Sequence, residues 1–194
     1  RFGEWLHVAG TTSTGIDGIV HGVGDPARQT ETILAVAREA LAVAGGRLDD
    51  VLRARVYLTD KSAQRAVAPV LRRAFRDARP VCTHFEVSGL ARPTQLVEIE
   101  LDAFVGPDDA VERLHAGQVG DMSRAVRVRD RILVGGDGAP DVAALRPSEQ
   151  WRRLESDLEK TLNALGATSN DVMAYSLYRN PAARSMTIPE RGWL

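Results

Sequence analysis

The sequence predicts an α+β protein built from two tandem copies of one unit. Three observations carry that prediction. An internal repeat runs through the chain, its helical segments show a period of 3.6, and its strand segments alternate with a period of 2. The repeat is the firmest of these. Pro26, Gln29, Leu41, Gly45, Asp50, Val51 and Tyr57 recur as Pro147, Gln150, Leu162, Gly166, Asp171, Val172 and Tyr178, every pair 121 positions apart.

Each copy reads in the order hairpin, loop, helix, strand. "RFGEWLHVAG" at 1–10 matches "RVRDRILVGG" at 127–136, with tight turns at Gly3-Glu4 and Arg129-Asp130. Both hairpins end in glycine, Gly10 and Gly136, where a side chain would block a close backbone or ligand. The first helix carries Ile33, Ala37, Ala40, Leu41 and Ala44 on one face and stops at Gly45-Gly46. Its counterpart carries Leu154, Leu158, Thr161, Leu162 and Leu165 and stops at Gly166. A second helix in the first copy presents Ala66, Val67, Val70, Leu71, Ala74 and Phe75, with Ser62 as N-cap and Pro69 kinking it or delaying its start. The expected boundaries are 1–105 for the first domain, 106–122 for a linker and 123–194 for the second. The second copy reads as incomplete, because no second helix and no final strand follow Tyr178.

Two strands have a physical signature of their own. In "VEIELDA", Glu98, Glu100 and Asp102 share one face; in "RARVYL", Arg53, Arg55 and Tyr57 do. A cross-strand charge ladder between them relieves the repulsion of three carboxylates in a row. The open alternative is that one carboxylate lines a polar pocket.

Composition sets the outer limits. Hydrophobic residues make up 44% of the 194 and charged residues 26%, the profile of an ordinary globular protein. A net charge of −1 supplies no field to steer nucleic acid or an anionic membrane. No apolar run reaches membrane-spanning length, and no signal peptide is visible, although the sequence starts at Arg1 and not at methionine. The single cysteine, Cys82, points to a reducing, cytoplasmic setting. No zinc-ligand spacing appears, so neither metal nor cofactor is expected.

The pieces "VAG", "QTETILAVAREALAVAGGRLDDVLRARVYLTD", the "RP" turn, "FEVSGL" and "VEIELDA" together resemble the Rid family, also called YjgF. The resemblance covers most of residues 1–105 and, more weakly, 123–178. It implies two tandem Rid-like domains of chorismate-mutase-like fold, each a mixed sheet with helices packed on one face. It also implies homo-oligomers, trimeric or pseudo-threefold, that place a cleft for a small-molecule substrate between neighbouring units. The activity implied is hydrolysis of reactive imines and enamines to a keto acid and ammonia. An arginine in a "PAR[ST]" strand binds the substrate carboxylate, and a glutamate in the final strand orients water or relays a proton. A guanidinium suits the first role because its planar fork grips a carboxylate through two parallel hydrogen bonds.

Aligned through "FEVSGL", the arginine position falls on Cys82, with Thr83 next, and the glutamate position falls on Glu98. A position that is often asparagine in the family falls on Ala68. The first copy thus keeps the carboxylate and lacks the clamp. In the tail, "AARSMTI" is similar to the family's arginine strand, with Arg184 at the arginine and Ser185 after it, only five residues beyond Tyr178. The expected catalytic pair is Arg184 with Glu98, and the expected substrate-binding residues are Gly10, Cys82, Thr83, Gly136 and Ser185. The alternative is a non-catalytic small-molecule-binding or scaffold protein that has lost the arginine.

Other constellations weigh less. Cys82, His84 and Glu86 share a strand face, which would let a thiol meet an imidazole. The glycine-rich loops at 10–15 and 135–138 lack the lysine of a P-loop and suit backbone contacts to a small acid better. RNA cleavage, attached to some relatives, finds no basic stripe here.

Overall fold

A computed structural model of the chain describes residues 1–115, 122–136 and 145–176. Arg184 and Ser185 lie outside the described residues. Strand β1 (Trp5–Thr12) turns its Leu6 to the core, and a loop then leads into helix α1 (Pro26–Val43). Asp25 caps that helix by accepting the Arg28 N–H at 3.0 Å, and Pro26 occupies the first turn, where no amide partner is needed. Ile33, Leu34, Ala37 and Leu41 are buried, while Ala40, expected on that face, is exposed. Gly45, at φ +86°, reverses the chain, and the Gly46 N–H donates back to the Leu41 carbonyl at 2.8 Å.

Strand β2 (Val51–Leu58), helix α2 (Gln64–Ala74) and strand β3 (Val81–Glu86) form a parallel crossover. A 3-10 turn over Lys61–Ala63 precedes α2. The expected cap at Ser62 is corrected: Asp60 accepts the Ser62 N–H at 2.8 Å, because the carboxylate stands where the chain first leaves β2. The helix then runs through Pro69 and buries Val67, Val70 and Leu71, leaving Ala66 in solvent. Strand β4 (Val97–Phe104) inserts between β1 and β2, antiparallel to both. Its Val97, Ile99 and Leu101 join Ala54, Val56 and Leu58 of β2 under the two helices, and this is the main core.

Residues 106–122 were expected to be a linker. Among those described, Val111–His115 form a strand, β5, which pairs antiparallel with β6 (Ser123–Val128). Strand β7 (Arg131–Val134) closes a hairpin on β6 through Arg129, at φ +53°. The sheet order is β1-β4-β2-β3-β6-β5, with β7 also on β6. A parallel bridge between Val81 and Ser123 joins the two parts of the sheet. The chain divides into two compact units, Arg1–Gly136 and Asp137–Leu194, so the hairpin read as the start of the second copy belongs to the first unit's sheet. In the second unit, helix α3 (Pro147–Ala164) buries Trp151, Thr161 and Leu162, ends at Gly166 with φ +75°, and leads into a 3-10 turn over Ser169–Asp171.

The face of the sheet turned away from α1 and α2, called helix-free for that reason, carries the charge ladder. Arg53 donates to Asp102 Oδ2 at 2.6 Å, Arg55 Nε lies 3.1 Å from Glu100 Oε2, and the Tyr57 hydroxyl donates to that same oxygen at 3.1 Å. His7 Nδ1 completes the set at 2.7 Å from Asp102 Oδ1. Asp102 is 5% exposed, so its charge is held by partners and hardly at all by water. Asp102→Asn should lower stability by roughly 2–3 kcal/mol in urea unfolding, since it leaves Arg53 without its counter-charge.

Candidate functional site

Strand pairing arranges the helix-free face in rows. Thr12, Glu98, Tyr57 and Phe85 lie side by side across β1, β4, β2 and β3. In the next row Glu100, Arg55 and Thr83 are neighbours, and in the one after that His7, Asp102, Arg53 and Val81. Adjacent strands stand about 4.8 Å apart, so the first row spans the width of a small organic acid with room beside it.

Glu98 is the exception in this face. Glu100 and Asp102 are each bound by arginine, whereas Glu98 has no hydrogen-bond or ion-pair partner among the described residues. Partial burial, and then the charge of Glu100, push its carboxyl above the ordinary carboxylate range. Its position depends on a bulge. Between Val8 and Thr11, β1 sets Ala9 and Gly10 opposite a single residue of β4. A Cβ on Gly10 would fall 2.0 Å from Glu98 Oε1, so the carboxylate lies in the space that glycine leaves free. Gly10 and Glu98, singled out separately in the sequence, therefore meet.

Thr83 and Gly136 meet as well. The Gly136 N–H donates to Thr83 Oγ1 at 2.9 Å, and a Cβ on Gly136 would approach Thr83 Cγ2 to 2.5 Å. Phe85, two residues along the same face, stacks on Tyr57 with centroids 5.3 Å apart and planes 24° from parallel. His7 and Phe85 were not among the expected residues. The signal for both was present in the alternation of β1 and β3, since His7 follows the face of Trp5 and Phe85 that of Thr83.

Cys82 does not join this group. It pairs with Ala54 across β2 and β3 and packs against the main core, on the opposite face from Thr83. Burial pushes its thiol up to about 12, and burial lowers His84, whose Nε2 is enclosed without a partner. A neutral imidazole beside a protonated thiol is not an activated pair. Among the described residues no group of three or more His, Cys, Asp or Glu is arranged to hold a metal ion, and no helix is long and apolar enough to cross a membrane.

The fold of the first unit, a mixed sheet with two helices on one face, agrees with what the comparisons with known proteins find. Residues 1–105 match the family described as Endoribonuclease L-PSP, and the chain belongs to it; its members also go by the names Rid and YjgF. An uncharacterised protein of Streptomyces coelicolor is 35% identical over 108 residues, covering 56% of this chain and 80% of that one. The 3-aminoacrylate deaminase of Acinetobacter baylyi is 37% identical over 87 residues, covering 45% of this chain and 68% of the deaminase. The crystal structure of a Yersinia pestis protein of the Rid family, YyfA, aligns with a TM-score of 0.51 at 26% identity, covering 54% of this chain and 83% of that one.

Two outcomes test the electrostatics. Folded Glu98 holds its proton more tightly than it does in the unfolded chain, so its ionisation costs stability at neutral pH. That cost disappears once pH falls below the unfolded carboxylate range of about 4, where both states are protonated. Glu98→Gln should therefore raise the urea midpoint at about pH 7 and leave it unchanged at about pH 3. Cys82 should resist a thiol reagent at neutral pH while folded and react at the rate of a free cysteine in denaturant, as followed by absorbance.

Proposed function

We propose that the protein hydrolyses a small reactive imine or enamine, with Glu98 as the proton-relaying carboxyl and Arg184 as the cation that binds the substrate carboxylate. The observation that carries this reading is the unneutralised Glu98 above Gly10, the one carboxylate of its row-forming trio left without arginine among the described residues. A carboxyl raised above its usual range carries a proton more readily near neutral pH, and general acid–base work needs that. With an enamine, protonated Glu98 would deliver a proton to carbon and generate the iminium ion, leaving Glu98 as a carboxylate. Water then adds to the C=N carbon while Glu98 takes one of its protons. That proton passes to nitrogen, and the C–N bond breaks as the hydroxyl proton returns to Glu98, releasing a carbonyl compound and ammonia and restoring the protonated carboxyl. The similarity to a 3-aminoacrylate deaminase supports this class, because 3-aminoacrylate is itself an enamine bearing a carboxylate. Gly10, Thr83, Gly136 and Ser185 would contribute contacts to the substrate, and Cys82 would serve as packing behind them.

The organisation belongs to the same reading. A second Rid-like copy would follow the first domain, its opening hairpin at 123–136 adding strands to the first unit's sheet. Helices α1 and α3, each 18 residues long, each followed by a left-handed glycine and a 3-10 turn, support the duplication. Self-association as a trimer or with pseudo-threefold contacts would cover Ile16, Ile19 and Val23, which stand exposed on the loop after β1. A cytoplasmic setting fits a protein with one unpaired cysteine.

Ammonia release from imines generated in situ by an amino-acid oxidase tests the activity. The native protein should accelerate it, Glu98→Gln should lose roughly 10²-fold or more, and Arg184→Ala should lose affinity for carboxylate-bearing substrates. No acceleration with any imine or enamine would overturn the proposal.

A further inference from the structure

Glu98 and Glu100 lie two residues apart on the same strand face, yet their surroundings differ sharply. Glu100 Oε2 takes both the Arg55 Nε and the Tyr57 hydroxyl at 3.1 Å. Glu98 rests over Gly10 with no partner among the described residues. We propose that Glu100, fixed by Arg55 and Tyr57, is a positioning residue that makes Glu98 the proton-bearing carboxyl of the pair.

The geometry gives each group a part. Arg55 also reaches Asp102 Oδ2, at 3.6 Å, so its single charge is divided between two carboxylates. Arg53 is committed to Asp102, as is His7 from the outer strand. Among the described residues, the charged and titratable groups facing Glu98 are thus Glu100 and Asp102 on its own strand, Arg53, Arg55 and Tyr57 on β2, and His7 on β1. Of these, Glu100 is the like-charged neighbour closest in register, and its charge adds to burial in disfavouring a second ionised carboxylate. Val97, Ile99 and Leu101 occupy the other face of β4 in the core under α1 and α2, so those two helices bring no counter-charge to Glu98. Thr83 and Phe85, the β3 residues of these rows, have no charge to offer.

The inference rests on the role proposed for Glu98, but its test needs no substrate. The titration of Glu98 is followed by carbon-13 NMR of its side-chain carboxyl, assigned with Glu98→Gln. Glu100→Gln keeps the shape and removes the charge, and Glu100→Thr is a second neutral replacement suited to a strand. Either should shift the Glu98 midpoint to lower pH, and Glu100→Asp, which keeps the charge, should restore it toward the native position. In the imine assay, the limb of the pH–rate profile that belongs to Glu98 should move the same way. A Glu98 midpoint unchanged in the folded neutral variants would overturn the assignment. An unchanged midpoint with native imine hydrolysis intact sinks Glu100 alone. A shifted midpoint without imine hydrolysis by the native protein sinks the proposed activity and leaves the coupling standing.

Discussion

Asp102 is a carboxylate almost closed off from water, and the polar face of the sheet is organised around it. Burying such a group alone would cost several kcal/mol, which the protein offsets with two arginines from β2 and a hydrogen-bonding imidazole from β1. Arg53 and Arg55 come from β2 and His7 from β1, so one side chain ties together three strands that are far apart in sequence. Those ties fix the register of β4 between β1 and β2. The register, in turn, sets which residues stand beside Glu98.

The site is a consequence of how charge is shared on that face. Three carboxylates alternate along β4, and only two arginines answer them from β2. Asp102, the most enclosed, takes the larger part; Glu100 shares Arg55 and gains a tyrosine hydroxyl; Glu98, at the end of the row, is left with the gap over a bulged glycine. A ladder with a third cation opposite Glu98 would be more balanced and chemically idle. Opposite Glu98 the chain has Tyr57, whose hydroxyl turns to Glu100.

Much of this was legible in the order of residues. The alternation of "RARVYL" and "VEIELDA" assigns the partners of the ladder before any coordinates, because strand side chains alternate strictly. The end of α1 at Gly45-Gly46 was equally plain, while the cap that Asp25 provides at its start emerged only from the structure. The bulge at Ala9 and Gly10 was not, since a bulge is defined by the strand opposite, 90 residues away in the chain, and not by its own residues. Strand β5 escaped for a similar reason: "VERLH" carries little apolar alternation and becomes a strand because β6 offers it an edge. Cys82 shows the limit of aligning by motif. Its position in the motif suggests a binding residue, while its place in the alternation, next to Ala54, puts it in the core.

The pairing of β1 with β4 also orders events during synthesis. Strand β1 leaves the ribosome before its partner and finds it only when residues 97–104 follow, and the contact between His7 and Asp102 spans 95 positions. Until then β1 and β2 each lack the strand that separates them, while the local turns of α1 are free to form as they emerge. The nascent chain must therefore carry unpaired strand edges through about a hundred residues of elongation, a time of roughly 5–20 s.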